Sequence, residues 1–329
     1  MRAQPFSLSC VVPVYNEAGH LAEFLAALHT EIAALTAQYE IIVVDDGSRD
    51  DTATMIQTMA ATYNLRYLAL SRNFGKEAAL TAGIDHAVGD AVLLIDADFQ
   101  HPLALIKEMV AQWHHGYDMV YGVIADRAAE SSAKRLGTRL FYTLLNYSTK
   151  VVIPADAGDF RLMDRAVVRA LHALPERNRF MKGLYAWVGF KSVALPFVPL
   201  ERVGGHSSFS LKRLSDLAIS GLTAFTTLPL RIWSVIGAGI SFFAICYGLY
   251  IALSAFLFGN DVPGWTTLSA GLMLFSGVQL LSIGIMGEYL GRVYDEVKQR
   301  PIYLLARDIN HSPLKRVDVN EPNEQLPSA

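Results

Sequence analysis

Ala91-Val92-Leu93-Leu94-Ile95-Asp96-Ala97-Asp98 is an uninterrupted apolar run that stops on two carboxylates. A strand with no polar alternation is one covered on both faces, as in a parallel sheet. Its neighbours follow the same pattern. Leu8 to Val14 ends in Tyr15-Asn16-Glu17, Ile41 to Val44 ends in Asp45-Asp46-Gly47-Ser48, and Leu65 to Leu70 ends in Arg72-Asn73. Met119 to Val123 is a further short strand. Helical spacing fills the gaps, over Glu17 to Gln38, Thr52 to Thr62, Lys76 to Ala87 and Pro102 to His114, the last with proline in its first turn. Strands alternating with helices predict an α/β fold with a mainly parallel, Rossmann-like sheet. Ligands of such sheets bind at the carboxyl ends of the strands, where these polar clusters fall.

The chain has 329 residues, enough for one sizeable domain with an appendage. More than half are hydrophobic, and mean hydropathy is +0.28. That excess lies late in the chain. Ile232 to Asn260 and Val262 to Gly287 contain no Asp, Glu, Lys or Arg. Each exceeds the roughly 20 apolar residues that cross a bilayer. Domains are therefore expected at 1–207 (a cytoplasmic catalytic domain), 208–227 (an interfacial amphipathic helix), 228–291 (two transmembrane helices, about 232–258 and 265–288) and 292–329 (a cytoplasmic tail). The tail is read as loose from Asp308 onward. Lys212, Arg213 and Arg231 before the hairpin, and Arg292, Lys298 and Arg300 after it, place both ends on the cytoplasmic side. The formal net charge of −3 advertises no basic surface, so nucleic acid is not an expected partner. Cys10 and Cys246 fall in a strand and a span and are not expected to pair.

Asp96 and Asp98, if the strand stays extended, point to one side. Two carboxylates aimed at one place repel unless a cation joins them, and hard oxygen ligands suit Mg²⁺ or Mn²⁺. An ordinary solvated turn would use the same residues. Asp46 has the chemistry to accept from a ribose or base, although Asp45 and Asp46 also suit a turn. Glu17 suits a helix N-terminus as well as a ligand, and Lys76 a surface as well as a phosphate.

Pro13-Val14-Tyr15-Asn16-Glu17, Asp45-Asp46-Gly47-Ser48, Arg72-Asn73-Phe74-Gly75-Lys76 and Asp96-Ala97-Asp98-Phe99-Gln100-His101-Pro102 stand in order. Together the set resembles the family 2 glycosyltransferases of GT-A fold. Gly158-Asp159-Phe160-Arg161-Leu162, then Glu201-Arg202-Val203-Gly204-Gly205-His206-Ser207-Ser208, and the hairpin narrow the resemblance to the polyprenyl-phosphate glycosyltransferases. It covers about Val11 to Pro301. It implies inverting transfer of a sugar from a nucleotide-sugar donor to a polyprenyl-phosphate lipid at the inner membrane of a bacterium. UDP-glucose is the first choice of donor, with GDP-mannose and UDP-linked amino sugars as alternatives. A nucleotide-sugar-binding membrane scaffold without catalysis is the alternative of another class. A processive polysaccharide synthase would show Gln-x-x-Arg-Trp, which is missing.

By the same resemblance Pro13, Tyr15, Glu17 and Asp46 border the nucleoside, and Lys76, Asp96 and Ala97 lie by the donor. Asp96, Asp98 and Gln100 hold a Mg²⁺ or Mn²⁺ diphosphate. Asp159 and Arg161 approach the sugar or acceptor, with Asp98 completing the catalytic set. Arg202, Ser207, Lys212 and Arg213 meet the acceptor phosphate. Ser208 stands where relatives carry lysine, and His206 where they carry an acidic residue, which weakens phosphate binding through that loop. Homo-oligomers, possible tetramers among them, and a separate flippase and downstream transferase complete the expectation.

Overall fold

The computed structural model describes residues 2, 5–125, 157–177, 179–200 and 264–314, with scattered positions between 237 and 257. The chain divides into two compact units: Met1–Tyr142, Val151–Ser210 and Pro301–Ala329 form one, Thr143–Lys150 and Leu211–Arg300 the other.

The first unit is built on an eight-stranded sheet. In chain order its elements are β1 (Ser7–Val14), α1 (Leu21–Ala33), β2 (Gln38–Asp45), α2 (Thr52–Met59), β3 (Leu65–Leu70), α3 (Lys76–His86), β4 (Ala91–Leu94), α4 (Leu105–His114), β5 (Met119–Ile124), β6 (Ala157–Asp164), α5 (Arg165–His172), α6 (Met181–Trp187), β7 (Ser192–Phe197) and β8 (Leu305–Asn310). The second unit contains α7 (Trp265–Lys298). Sheet order is β7-β5-β6-β4-β1-β2-β3-β8. Strands β3, β2, β1 and β4 run parallel, β6 reverses against β4 and β5, and β8 reverses against β3. The expected α/β, mainly parallel domain is therefore present. Because β2 and β4 flank β1 in opposite directions of chain travel, a crevice opens at the carboxyl ends of β1 and β4.

The apolar strands are covered on both faces: Val11, Val12, Ile41 to Val44 and Val92 to Leu94 have no exposed surface. Leu21, Phe24, Leu25, Leu28 and Ile32 of α1 are equally buried on one stripe, each worth about 2 kcal/mol of apolar transfer. On the other face α3 lies almost in contact with β1. A methyl group added at Gly83 would come 2.1 Å from Val11 Cγ1. This approach, made possible by the run of Ala78, Ala79 and Ala82, brings the first turn of α3 over the crevice.

Three expectations are corrected. The helix after β1 begins at Leu21, not Glu17, and Gln38 already belongs to β2. Asp96 to Asp98 do not continue β4, which ends at Leu94; Ala97 to Phe99 form a turn in which Phe99 has φ 59°. Strand alternation therefore does not relate Asp96 to Asp98. The chain from Asp308 is also not wholly loose. β8 pairs with β3, and Arg66 meets Asp308 at 2.7 and 3.0 Å. That pairing spans most of the sequence, so local pattern gave no sign of it.

The second unit's helix α7 is 34 residues long, and Glu288, Arg292, Asp295, Glu296 and Lys298 occupy its last third. Among the described residues no helix is long and apolar enough to cross a membrane. The expected interfacial helix at 208–227 and most of the expected span at 232–258 lie outside the described residues.

Candidate active site

The reversal of β6 is the feature that assembles the site. Leu94 pairs with Arg161 and Ala91 with Asp164. Asp96 follows the end of β4 and Asp159 precedes Arg161 on β6, which brings both carboxylates to the same ammonium. Between them stands Lys76, from the first turn of α3. Its Nζ is 2.8 Å from both oxygens of Asp96 and 2.9 Å from Asp159 Oδ2.

Burial opposes charge on all three groups, yet mutual attraction prevails. Asp96 is held below the usual carboxylate range against its burial, by Lys76 and then His101. Asp159 is likewise lowered, Lys76 outweighing burial and the repulsion of Asp96. The Lys76 ammonium is raised, Asp96 and Asp159 overcoming its desolvation. The lysine side chain is still 46% exposed, so water screens part of this attraction.

Lys76 is delivered by a clamp at the tip of β2. Asp46 is buried, and its Oδ1 and Oδ2 accept from the N–H groups of Phe74 and Gly75 at 2.7 and 2.8 Å. Gly47, with φ +72°, touches the same loop; a Cβ there would lie 2.6 Å from the carbonyl carbon of Arg72. Asp45 accepts from Ser48 N–H at 2.8 Å and from the Tyr67 hydroxyl at 2.9 Å. The structure thus gives Asp45 to the turn and Asp46 to the Phe74–Gly75 loop, where a nucleoside contact was expected for Asp46.

Pro13 is half-buried beside Val44, Tyr15 is 43% exposed at the end of β1, and Glu17 lies 3.0 Å from His20. Asn16, at φ 56°, ties this tip to the next by accepting from Arg49 N–H at 2.8 Å. These residues rim the crevice. Asp98 and Gln100 share the turn after Asp96 and Ala97, and Gln100 N–H donates to Asp98 Oδ1 at 3.1 Å.

Arg161, expected to approach the sugar or acceptor, is deeply buried. It is 3% exposed, its guanidinium carbon lies 3.6 Å from the centre of the Tyr185 ring, and its Nη2 donates to Gly158 O at 2.5 Å. Two further residues belong to the cluster although the sequence reading gave them no role. His101 stacks on Phe160 at 4.7 Å and faces Asp96 at 3.8 Å. Glu77 accepts from Met181 N–H at 3.2 Å, joining α3 to α6. Neither has a sequence signature of its own; adjacency to Lys76 and to the Asp96–Gln100 turn was the available hint. Arg202, Ser207, Lys212 and Arg213 lie outside the described residues.

Burial raises the Glu77 carboxyl from an ordinary 4.5 to about 7, with Asp159 adding to the rise and Met181 N–H, Lys76 and Lys182 opposing it. Between those values the folded chain keeps a proton that the unfolded chain has released. Stability from this group is therefore lost as pH climbs from 4.5 towards 7. Glu77→Gln is expected to flatten that part of a melting-temperature profile; a slope identical to the parent's would reject the assignment.

Among the described residues no three His, Cys, Asp or Glu side chains gather to hold an ion by themselves. Mg²⁺ seldom needs such a cage, since one or two carboxylates and the phosphates of its ligand suffice. Converging carboxylate oxygens already arranged about a cationic nitrogen, with the half-buried Asp98 nearby, fit that requirement.

The family model for glycosyl transferase family 2 matches residues 9–171. An uncharacterized glycosyltransferase of Synechocystis sp. is 43% identical over 94% of this chain and 99% of its own. The chain belongs to glycosyl transferase family 2. An SfII prophage-derived bactoprenol glucosyl transferase of Shigella flexneri is 40% identical over 93% of this chain and 99% of that one. Of solved structures, the mannosyltransferase PcManGT of Pyrobaculum calidifontis, in complex with GDP-Man and Mn²⁺, aligns over 87% of each chain at 17% identity, with a TM-score of 0.46. As a family 2 member the chain is a glycosyltransferase with a GT-A-like α/β domain.

Proposed function

We propose that the chain transfers glucose from UDP-glucose to a polyprenyl phosphate, with inversion at the anomeric carbon. The observation that carries this is the Asp96–Lys76–Asp159 cluster at the carboxyl ends of the central strands, in a family 2 chain whose near full-length relative is named a bactoprenol glucosyl transferase. A phosphate monoester has a second pKa near about 6 and is already largely dianionic at neutral pH. The acceptor needs little deprotonation, so Asp159, held ionised by Lys76, is not required as its base. Tyr15, Glu17 and Pro13 border the nucleoside, and Asp46 acts on the donor through the loop it holds. Asp96, Asp98 and Gln100 would hold Mg²⁺ or Mn²⁺, which supplies Lewis-acid stabilisation of the departing diphosphate. Arg202, Ser207, Lys212 and Arg213 are assigned to the acceptor phosphate.

We also propose that residues 228–291 anchor the chain in the inner membrane of a bacterium, with both termini cytoplasmic. The sequence supports this: Ile232 to Asn260 and Val262 to Gly287 contain no Asp, Glu, Lys or Arg, and each exceeds the roughly 20 apolar residues that cross a bilayer. A homo-oligomer, a flippase for the product and a downstream transferase complete the reading.

The test is a panel of labelled UDP-glucose, GDP-mannose and UDP-amino sugars, offered to the purified full chain with undecaprenyl phosphate, with and without a chelator. Chelator-sensitive glucosyl-lipid is the expected product. Mannosyl- or aminosugar-lipid would replace the donor assignment, and no transfer from any donor would favour a binding scaffold.

A further inference from the structure

Four polar atoms in the site are buried and, among the described residues, have no hydrogen-bond partner: His101 Nδ1, Asp159 Oδ1, Arg161 Nε and the Tyr185 hydroxyl, of which the last three form one group. Their side chains adjoin. Asp159 and Arg161 alternate on β6 and so share a face, and the Arg161 guanidinium lies on the Tyr185 ring. Leaving a buried polar group unsatisfied costs about 1–3 kcal/mol, so three at one place mark a missing ligand. Their chemistry defines it. Asp159 only accepts, Arg161 only donates, and a tyrosine hydroxyl does both. A hydrocarbon chain offers none of the partners, and a diphosphate has no protons for Asp159 and would be repelled by it. A ring bearing several hydroxyls supplies both kinds.

We propose that Tyr185 of α6 reads a hydroxyl of the transferred sugar, with Asp159 and Arg161 completing the subsite, and so sets which sugar is accepted. The proposal rests on the glycosyltransferase reading and adds a specificity residue to it. Tyr185→Phe suits the test because it keeps the ring beneath Arg161 and removes only the hydroxyl. Its partner variant, Tyr185→Leu, removes the ring as well and reports on packing.

The experiment measures kcat/KM for UDP-glucose and its 2-, 3-, 4- and 6-deoxy analogues with the full chain and both variants. The parent is expected to lose about 10- to 100-fold on one analogue. Tyr185→Phe should lose a similar factor on UDP-glucose and show no extra loss on that analogue. A phenylalanine variant with parental kinetics, or with the parental penalty on every analogue, overturns the proposal. Loss confined to the leucine variant does the same, by reducing Tyr185 to a packing support. Failure of the parent to use any donor strikes the underlying function instead.

Discussion

Replacing Lys76 by methionine is expected to lower sugar transfer about 100-fold and to move the acid limb of the pH–rate profile to higher pH. The ammonium is the only group within 3 Å of both Asp96 and Asp159 in the described contacts, at 2.8 and 2.9 Å. Without it, the two carboxylates that share this ammonium are left with no intervening charge. One of them then resists ionisation, because a like charge nearby raises a carboxyl pKa. The sign follows from the present state: both groups are held below the ordinary carboxylate range chiefly by Lys76 acting against burial. Lys76→Arg keeps the charge with a different reach, so it should recover part of the rate and most of the pH profile. Methionine with parental rate and profile would remove Lys76 from the mechanism and return it to the role of a surface lysine.

How much of this was legible beforehand depends on whether the signal was local. Each parallel strand announced itself, because a strand buried on both faces is an apolar run and the polar residues after it mark the crevice. The clusters at Tyr15 to Glu17, Asp45–Asp46 and Asp96 to Asp98 were found in this way. Strand β6 was not, because the alternation over Asp159 to Leu162 is too short to stand on its own, although Asp164 caps the helix that follows it. Its reversal, which brings Asp159 to Asp96, is a property of sheet order, and sheet order is long-range. The same holds for β8, whose partner β3 precedes it by more than two hundred positions. Asp46 illustrates a contact that sequence could not show. A carboxylate at a strand tip suits a ribose as well as a loop backbone, and only coordinates show that Phe74 and Gly75 take both oxygens. Tyr185 and Glu77 carry no motif at all; burial beside charged neighbours is what distinguishes them.

Asp98→Ala is expected to cut transfer about 1,000-fold, the scale lost when a main stabiliser of developing charge is removed, while leaving the fold intact. The fold should survive because Asp98 lies in the turn after β4 and is only partly out of solvent, where water can take its place at the Gln100 N–H. Asp96 is the poorer choice for this test. Both its oxygens are within 2.8 Å of Lys76, so its removal would disturb the charge cluster and the metal together. The turn itself argues that Asp98 is placed for use: Phe99 holds φ 59°, a left-handed conformation that bulky side chains avoid, and is retained there by its edge-to-face packing on Phe24 at 5.2 Å. A decisive measurement pairs transfer with UDP affinity in the presence and absence of Mn²⁺. In the parent, Mn²⁺ should tighten UDP binding. In Asp98→Ala that dependence should vanish while metal-free affinity stays the same, since the proposed nucleoside contacts at Pro13, Tyr15 and Glu17 are untouched. Parental turnover, or an unchanged response of UDP to Mn²⁺, would place the ion elsewhere and leave Asp98 as a turn residue.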